Sequence, residues 1–137
     1  MFSDLITSKT RVKLLSLFLE NPQDMFHVRE IVRRVGEEIN AVRRELIHLE
    51  DKGVLRREPR ANRVYYYLDK LYPFHFDLLN IHAKTTGLGA AIIKNKAKLG
   101  KIKFAMLAGE FARRVKNNPE AVDLLVVGTV VVPELSV

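Results

Sequence analysis

Arginine and asparagine recur between residues 40 and 63, and both side chains carry paired hydrogen-bonding groups in one plane. In the major groove of DNA, arginine can donate two hydrogen bonds to guanine, and asparagine can pair with adenine in the same way. Val42, Leu46 and Leu49 lie at helical spacing and predict a helix over about residues 39–52 with this side buried. Its opposite side carries the residues that would face a groove: Asn40, Ala41, Arg43, Arg44 and His48. We therefore expect this helix to contact base edges in double-stranded DNA.

A second group of arginines follows this helix. Two runs of β-favouring residues, 54–57 and 63–68, flank a short stretch in which Pro59 and Asn62 favour a turn over residues 58–62. We expect a hairpin over residues 54–68 that carries basic side chains around its tip, namely Arg56, Arg57, Arg60 and Arg63. Such side chains contact the flanking DNA backbone or minor groove and add affinity with little sequence information.

Two further helices are predicted ahead of this region, over residues 9–20 and 27–36. Each has apolar residues at helical spacing and a stop signal, Pro22 after the first helix and Gly36 at the end of the second. Only a few residues separate the second helix from the third, so the two make a helix-turn-helix pattern. Arg33 and Arg34 on the second helix are equally consistent with a solvated face and with a contact surface.

The order of helix, helix-turn-helix and basic hairpin resembles the winged helix-turn-helix domain of bacterial and archaeal transcription regulators over residues 5–70. The stretch AVRRELIHLEDKGVLRRE, followed by NRVYYYL, is similar to the recognition helix, glycine and wing of ArsR-like and MarR-like regulators. The resemblance implies a regulator that binds double-stranded DNA, with the third helix in the major groove and the wing beside it. In this arrangement Glu45 would repel phosphate, unless it orients Arg44 or accepts a hydrogen bond from cytosine.

A fourth helix is predicted from about residue 73 to residue 86, with proline at its first position. Winged-helix regulators commonly dimerise, which suits half-sites spaced by one turn of DNA, so the resemblance also implies a homodimer. The candidates for its pairing surface are the apolar side chains of this helix: Phe74, Leu78, Leu79 and Ile81. The alternative is that the same side chains pack inside the chain against the first helix.

The stretch AMLAGEFARRVKNNPEAVDLLVVG resembles the core of minimal nucleotidyltransferases of the DNA polymerase β superfamily, which has the same order of strand, helix and strand. Proteins that fuse a winged helix to such a domain form a recognisable prokaryotic group. The resemblance implies a Gly-Ser pair that holds a nucleotide and two aspartates that bind Mg²⁺ in active members. Here Gly109 is followed by Glu110, and Ala121 stands two residues before Asp123. The implied domain is therefore an inactive remnant, without a metal or a cofactor.

Length and composition narrow the remaining classes of protein. The chain has 137 residues, of which 47% are hydrophobic and 28% are charged, as is typical of a globular protein. It has no cysteine, no apolar run long enough to cross a bilayer and no signal-like start, so we expect a cytoplasmic protein without a membrane partner. Its four histidines are scattered, which disfavours a zinc site, and it lacks phosphate-loop and nucleophile-elbow motifs.

Most of the net charge of +7 comes from outside the region that is expected to bind DNA. Residues 1–80 contain 14 Lys and Arg against 12 Asp and Glu, whereas residues 81–137 contain 9 against 4. If residues 1–80 bind nucleic acid, their positive side chains must be gathered on one face.

These patterns predict an α+β chain in three parts. Residues 1–70 form a winged helix-turn-helix of three helices and a β-hairpin, and residues 71–100 form linking helices that could pair two copies. Residues 101–137 form a short β-α-β nucleotidyltransferase-like remnant, whose first strand, residues 102–109, is buried. Two alternative functions stay open. One is residual nucleotidyltransferase activity, and the other is a winged helix that binds protein or RNA.

Overall fold

The structure, a computed structural model, describes residues 1–108 and 123–135, which belong to two compact units, Met1–His82 and Ala83–Val137. The first unit contains, in chain order, α1 (Phe2–Leu5), α2 (Lys9–Glu20), β1 (Phe26–His27), α3 (Val28–Val35), α4 (Ile39–Asp51), β2 (Leu55–Arg60), β3 (Arg63–Leu68) and α5 (His75–Thr85), which extends past His82. The four helices predicted in this region are confirmed, with ends that differ by at most two residues.

Local hydrogen bonds and a glycine fix where these helices begin and end. Ser8 Oγ accepts a hydrogen bond from the backbone N–H of Arg11 at the start of α2, at 3.2 Å. The carboxylate of Glu38 accepts hydrogen bonds from two backbone N–H groups in the first turn of α4, at 2.9 and 3.0 Å. Helix α3 ends at Gly36, whose φ of 66° is a conformation that glycine adopts without strain. These caps set the short turn between α3 and α4.

The core of the first unit joins α2, α3 and α4 to a small sheet. Its buried side chains are Leu14, Leu15, Leu17, Phe18, Leu19, Phe26, Ile31, Val42, Leu46, Leu49, Val54, Leu55, Tyr66 and Leu68. The rings of Phe18 on α2 and Phe26 on β1 meet edge to face with centroids 5.6 Å apart. Because α4 contributes one side of its surface to this core, its opposite side is left to solvent.

The sheet has three antiparallel strands in the order β1-β3-β2. Strands β2 and β3 stay paired as far as Arg60 and Arg63, so the predicted turn over residues 58–62 is too long and Pro59 lies inside β2. An edge strand tolerates proline because its missing N–H can face solvent. Ala61, at the tip, has a φ of 52°, as a two-residue hairpin turn requires. Strand β1 was not predicted, since two residues are too few to show alternation.

Helix α5 turns part of its apolar surface toward the core and leaves another part exposed. Leu78 and Leu79 are partly buried against the core of the first unit. Phe76, in the first turn of α5, and Phe74, just before it, are 72% and 59% exposed. The internal packing of this helix therefore accounts for the two leucines. Ile81 is half-buried, and the two phenylalanines offer exposed apolar surface.

The second unit contains α6 (Gly87–Lys94), α7 (Lys96–Leu99), β4 (Gly100–Ala108), β5 (Asp123–Val130) and α8 (Val132–Leu135). Strands β4 and β5 pair as antiparallel neighbours. The prediction of a buried strand at residues 102–109 is wrong for the part that the structure describes: Phe104 and Met106 are exposed, as are Val127 and Leu125 directly opposite them. An apolar strand is buried only where a further layer of structure covers it, and two paired strands do not cover their own faces.

The residues that decide the nucleotidyltransferase resemblance are mostly outside the described part of the chain. Gly109, Glu110 and Ala121 lie in the stretch 109–122, as does the helix predicted between the two strands. Asp123 is the first residue of β5.

Candidate nucleic-acid interface

The solvent side of α4 is basic and includes one apolar residue. Asn40, Arg43 and Arg44 are exposed, and Ala41 is half-buried. Ile47 is 52% exposed and follows Arg43 and Arg44 by four and three residues, so it shares their side of the helix. Sequence analysis missed Ile47, although its spacing from these two arginines was a usable signal. An isoleucine at this place can contact the methyl group of thymine.

His48 lies at the border between the exposed and the buried sides of α4. It is half-buried. Like Ala41, it is therefore placed at the margin of the basic side, whereas Arg44 is fully on it.

The carboxylate of Glu45 is hydrogen-bonded to two residues near the start of α2 instead of to the arginines on the basic side of α4. Arg11 Nε donates a hydrogen bond to one of its carboxylate oxygens at 2.7 Å, and Ser8 Oγ donates to the other at 2.8 Å. Partial burial alone would raise the pKa of Glu45, but the hydrogen bonds from Arg11 and Ser8 outweigh it and hold the pKa below the usual range. The hypothesis that Glu45 orients Arg44 is thus wrong, because its oxygens are engaged elsewhere.

Carboxylate partners divide the arginines of the first unit into two groups. Three of the four wing arginines are paired, Arg56 with Asp69, Arg57 with Glu50 and Arg60 with Glu58, at N–O distances of 2.8, 3.4 and 2.9 Å. Five arginines form no ion pair within residues 1–108 and 123–135, namely Arg29, Arg33, Arg43, Arg44 and Arg63. A neighbouring carboxylate cancels much of the field that attracts phosphate, so the second group is the stronger source of attraction.

Three of these unpaired arginines line one open cleft of about 460 Å³ in the first unit. The cleft is lined by His27, Arg29, Val32, Arg33, Ile39 and Arg63. Arg29 and Arg33 are one turn apart on α3, and Arg63 is the first residue of β3. Ile39 is the first residue of α4, so the cleft lies beside the N-terminal end of the helix that carries Asn40. Sequence analysis left Arg33 undecided, placed Arg63 on the wing and missed Arg29.

The predicted site residues are therefore distributed over more than one surface. Asn40, Arg43 and Arg44 share one side of α4, with Ala41 and His48 at its margin. The wing residues Arg56, Arg57 and Arg60 are exposed but paired with acids, and Arg63 lines the cleft beside α3.

Two other kinds of site are absent from residues 1–108 and 123–135. This part of the chain contains no group of three or more His, Cys, Asp or Glu side chains that could hold a metal ion. It also contains no helix that is both long and apolar enough to span a membrane.

No protein-family model and no curated protein matches the chain. Among solved structures, it is similar to Rv0081 from Mycobacterium tuberculosis, with 22% identity, a TM-score of 0.50, and coverage of 70% of this chain and 89% of that one. It also matches reduced HlyU from Vibrio cholerae N16961, with 18% identity, a TM-score of 0.46, and coverage of 58% and 75%. A third match is BpsR from Bordetella bronchiseptica, whose DNA binding is regulated by 6-hydroxynicotinic acid, with 13% identity, a TM-score of 0.40, and coverage of 66% and 73%.

At these identities the comparison bears on the fold alone. The first unit is a winged helix-turn-helix. Its own topology shows this, because a helix, a tight helical pair and a β-hairpin follow one another and share one core.

Proposed function

We propose that the chain is a transcription regulator that binds double-stranded DNA in a sequence-specific way, through α4 in the major groove and the wing beside it. The observation that carries this proposal is the exposed side of α4. It presents Asn40, Arg43, Arg44 and Ile47 together, and neither arginine is paired with a carboxylate in the described residues. This side also carries the exposed Asp51, but at the C-terminal end of α4, so the exposed side chains from Asn40 to Ile47 offer base-reading and apolar groups.

The side chains of α4 have complementary roles in this proposal. Arg43 and Arg44 donate paired hydrogen bonds to guanine, Asn40 pairs with adenine, and Ile47 contacts a thymine methyl group. A well-formed paired contact discriminates against the wrong base by about 1–3 kcal/mol, so two or three of them account for useful specificity. Glu45 does not oppose the phosphates strongly, because Arg11 beside it balances its charge.

The wing contributes affinity rather than base selection. Arg63 can meet a phosphate directly, since no carboxylate in the described residues holds it. Arg56, Arg57 and Arg60 reach a phosphate only by leaving Asp69, Glu50 and Glu58. The arginine side of each pair is exposed, and water already competes for the guanidinium group, so the exchange is inexpensive. We propose that they adjust non-specific affinity.

The experiment is fluorescence anisotropy with a duplex from the upstream region of the protein's own gene and a scrambled duplex, over a series of salt concentrations. We expect tighter binding to the native duplex than to the scrambled one. This affinity should rise as the salt concentration falls, and it should be weaker in the Arg43→Ala and Arg44→Ala variants. Equal binding to both duplexes would contradict sequence-specific recognition of the upstream region. Absence of binding at low salt would contradict DNA binding altogether and direct attention to a protein or RNA partner.

We further propose that the regulator is a cytoplasmic homodimer, because two winged helices can then occupy half-sites one helical turn apart. The exposed Phe74 and Phe76 support a pairing surface near the start of α5. Sedimentation equilibrium of the chain and of a Phe74→Ser, Phe76→Ser double variant tests it. A dimer that dissociates in the variant supports this surface, and a monomeric wild-type protein contradicts it.

For the rest of the chain we propose a division by role: DNA binding in residues 1–70, linking and pairing in 71–100, and a catalytically inactive nucleotidyltransferase-like remnant in 101–137. The identities of Glu110 and Ala121 support inactivity, since neither can serve as the serine or the first aspartate of the resemblance. Incubation with Mg²⁺ and labelled nucleotides tests it, and transfer of label to RNA or protein would contradict it.

A further inference from the structure

The cleft between α3 and the wing concentrates positive charge without a visible acidic partner. Arg29, Arg33 and Arg63 line it, and none of the three forms an ion pair in the part of the chain that the structure describes. Elsewhere in the same unit, most exposed arginines are held by a nearby carboxylate, as Arg56 is by Asp69 at 2.8 Å. Three like charges around one opening repel one another, so an anion bound among them would relieve that repulsion.

The acids closest in sequence to this cleft are already engaged. Glu30, next to Arg29, pairs with Arg34 at 3.2 Å and lies 3.9 Å from Nε2 of His27. Glu38, next to Ile39, accepts the backbone hydrogen bonds that begin α4, which keep its pKa below the ordinary value. Neither acid is therefore available to neutralise the arginines of the cleft without giving up a present partner.

The chemistry of the lining selects the kind of anion. Guanidinium groups bind phosphate with paired, charge-assisted hydrogen bonds, so a lining with three arginines favours a phosphate over a singly charged anion. His27 also lines the cleft. Val32 and Ile39 add apolar wall, against which a sugar ring can lie. The opening is wide, which suits a group that belongs to a larger polymer better than a ligand that must be enclosed.

We propose that this cleft binds a phosphate group, and that the phosphate belongs to the DNA backbone beside the bases contacted by α4. The position of Ile39 supports this source, because it is followed directly by Asn40 on the base-reading side of α4. Arg29 and Arg33 thereby become contact residues that the recognition helix and the wing do not include. This inference rests on the proposed DNA binding, and it adds the place at which α3 meets the backbone.

Charge-removing variants in the full-length protein test the cleft by the salt dependence of DNA binding. Each phosphate contact contributes about 0.9 to the slope of log affinity against log salt. We expect Arg29→Gln and Arg33→Gln to reduce the slope by about that amount when combined, and to weaken native and scrambled duplexes alike by about 10- to 150-fold at low salt. Lys13→Gln is the control, because it removes an exposed positive charge that is already paired, with Glu37, and that belongs to neither proposed contact surface. It should change the slope much less.

Neutral methylphosphonate substitutions, placed one at a time along the duplex, then locate the phosphate. One position should weaken the wild-type protein and have no further effect on the Arg29→Gln, Arg33→Gln variant, because the same contact is then removed twice. If the native duplex binds tightly but both variants retain the wild-type slope, the cleft proposal is overturned while DNA binding stands.

A direct titration with inorganic phosphate and pyrophosphate, followed by NMR, separates the remaining outcomes. If no duplex binds but pyrophosphate shifts the signals of Val32 and Ile39 in the wild type and not in Arg29→Gln, the cleft is a phosphate site. The source is then a small molecule, and the DNA assignment falls. If neither duplex nor pyrophosphate binds, the cleft proposal and the proposed function both fall.

Discussion

Glu45 on α4 and Arg11 on α2 are 34 positions apart in sequence and are joined by a hydrogen bond of 2.7 Å. Ser8 donates to the second oxygen of the same carboxylate at 2.8 Å, while its own oxygen caps α2 by accepting from the backbone N–H of Arg11. One carboxylate thus connects the start of α2 to the middle of the helix that we propose enters the major groove. The negative charge of Glu45 and the positions of its two oxygens both help to hold α4 against the start of α2.

Replacing Glu45 by alanine should lower the free energy of unfolding by about 1–3 kcal/mol, because Arg11 and Ser8 each lose a partner in a partly buried place. Urea denaturation followed by circular dichroism measures this. Glu37→Ala is the matched control, since its pair with Lys13 is more exposed and its loss should cost less. Equal losses in the two variants would show that the Glu45 contacts are worth no more than a surface pair.

Stability should fall in acid partly because of Glu45. Its pKa is lowered in the folded protein from an ordinary value of 4.5, so the native state favours the ionised form. The stabilisation is fully present above the unfolded value and is lost as pH falls through the lowered folded pKa. Unfolding curves at pH 6 and at pH values below about 4.5 should therefore differ less in Glu45→Gln than in the wild type. An identical pH dependence in the two proteins would contradict the lowered pKa.

Arg43→Ala and Arg44→Ala should each weaken binding to the specific duplex by about 1–3 kcal/mol and to a scrambled duplex by less. The reason is that a paired contact to guanine is lost together with a unit of charge, and only the charge matters on a scrambled sequence. Anisotropy with both duplexes measures the difference. The comparison variant is Arg57→Ala, which should affect both duplexes equally because Arg57 is on the wing and paired with Glu50.

Ile47 and Leu46 are neighbours on α4 with opposite surroundings, and their alanine variants should separate function from stability. Ile47 is 52% exposed, so Ile47→Ala should change the free energy of unfolding by no more than about 0.5 kcal/mol while it weakens specific DNA binding. Leu46 is fully buried, so Leu46→Ala should cost about 2–5 kcal/mol. Thermal denaturation and anisotropy on the same samples give both quantities. A stable Ile47→Ala protein with wild-type affinity would remove Ile47 from the interface.

Releasing a wing arginine from its acid should strengthen DNA binding. Glu58→Gln leaves Arg60 without its charged partner at 2.9 Å and removes a negative charge from the wing. The salt-dependence slope should become steeper by up to about 0.9, and scrambled and native duplexes should gain affinity together. Gln at this position keeps the size of the side chain, so the strand pairing is preserved. An unchanged slope would mean that Arg60 stays away from DNA even when it is free.

The sequence by itself determined the helices of the first unit and the short turn between α3 and α4. Apolar residues at helical spacing, such as Val42, Leu46 and Leu49, define the buried side of α4 because helical periodicity is a local property. Gly36 likewise marks the end of α3, since a left-handed residue there favours glycine whatever lies around it. These signals need no knowledge of distant residues. They explain why the order of helices and hairpin was predicted correctly.

Only the tertiary structure decided which charges are free. The four wing arginines are equivalent in sequence, yet three are paired, one of them with Asp69, 13 positions away, and Arg63 instead lines a cleft with Arg29 and Arg33. Such partners depend on how separate elements pack, which local patterns do not encode. The same holds for the apolar β4, whose residue types predicted burial although Phe104 is 52% exposed. Burial is set by what packs over a strand, and residue type indicates only the tendency to form one.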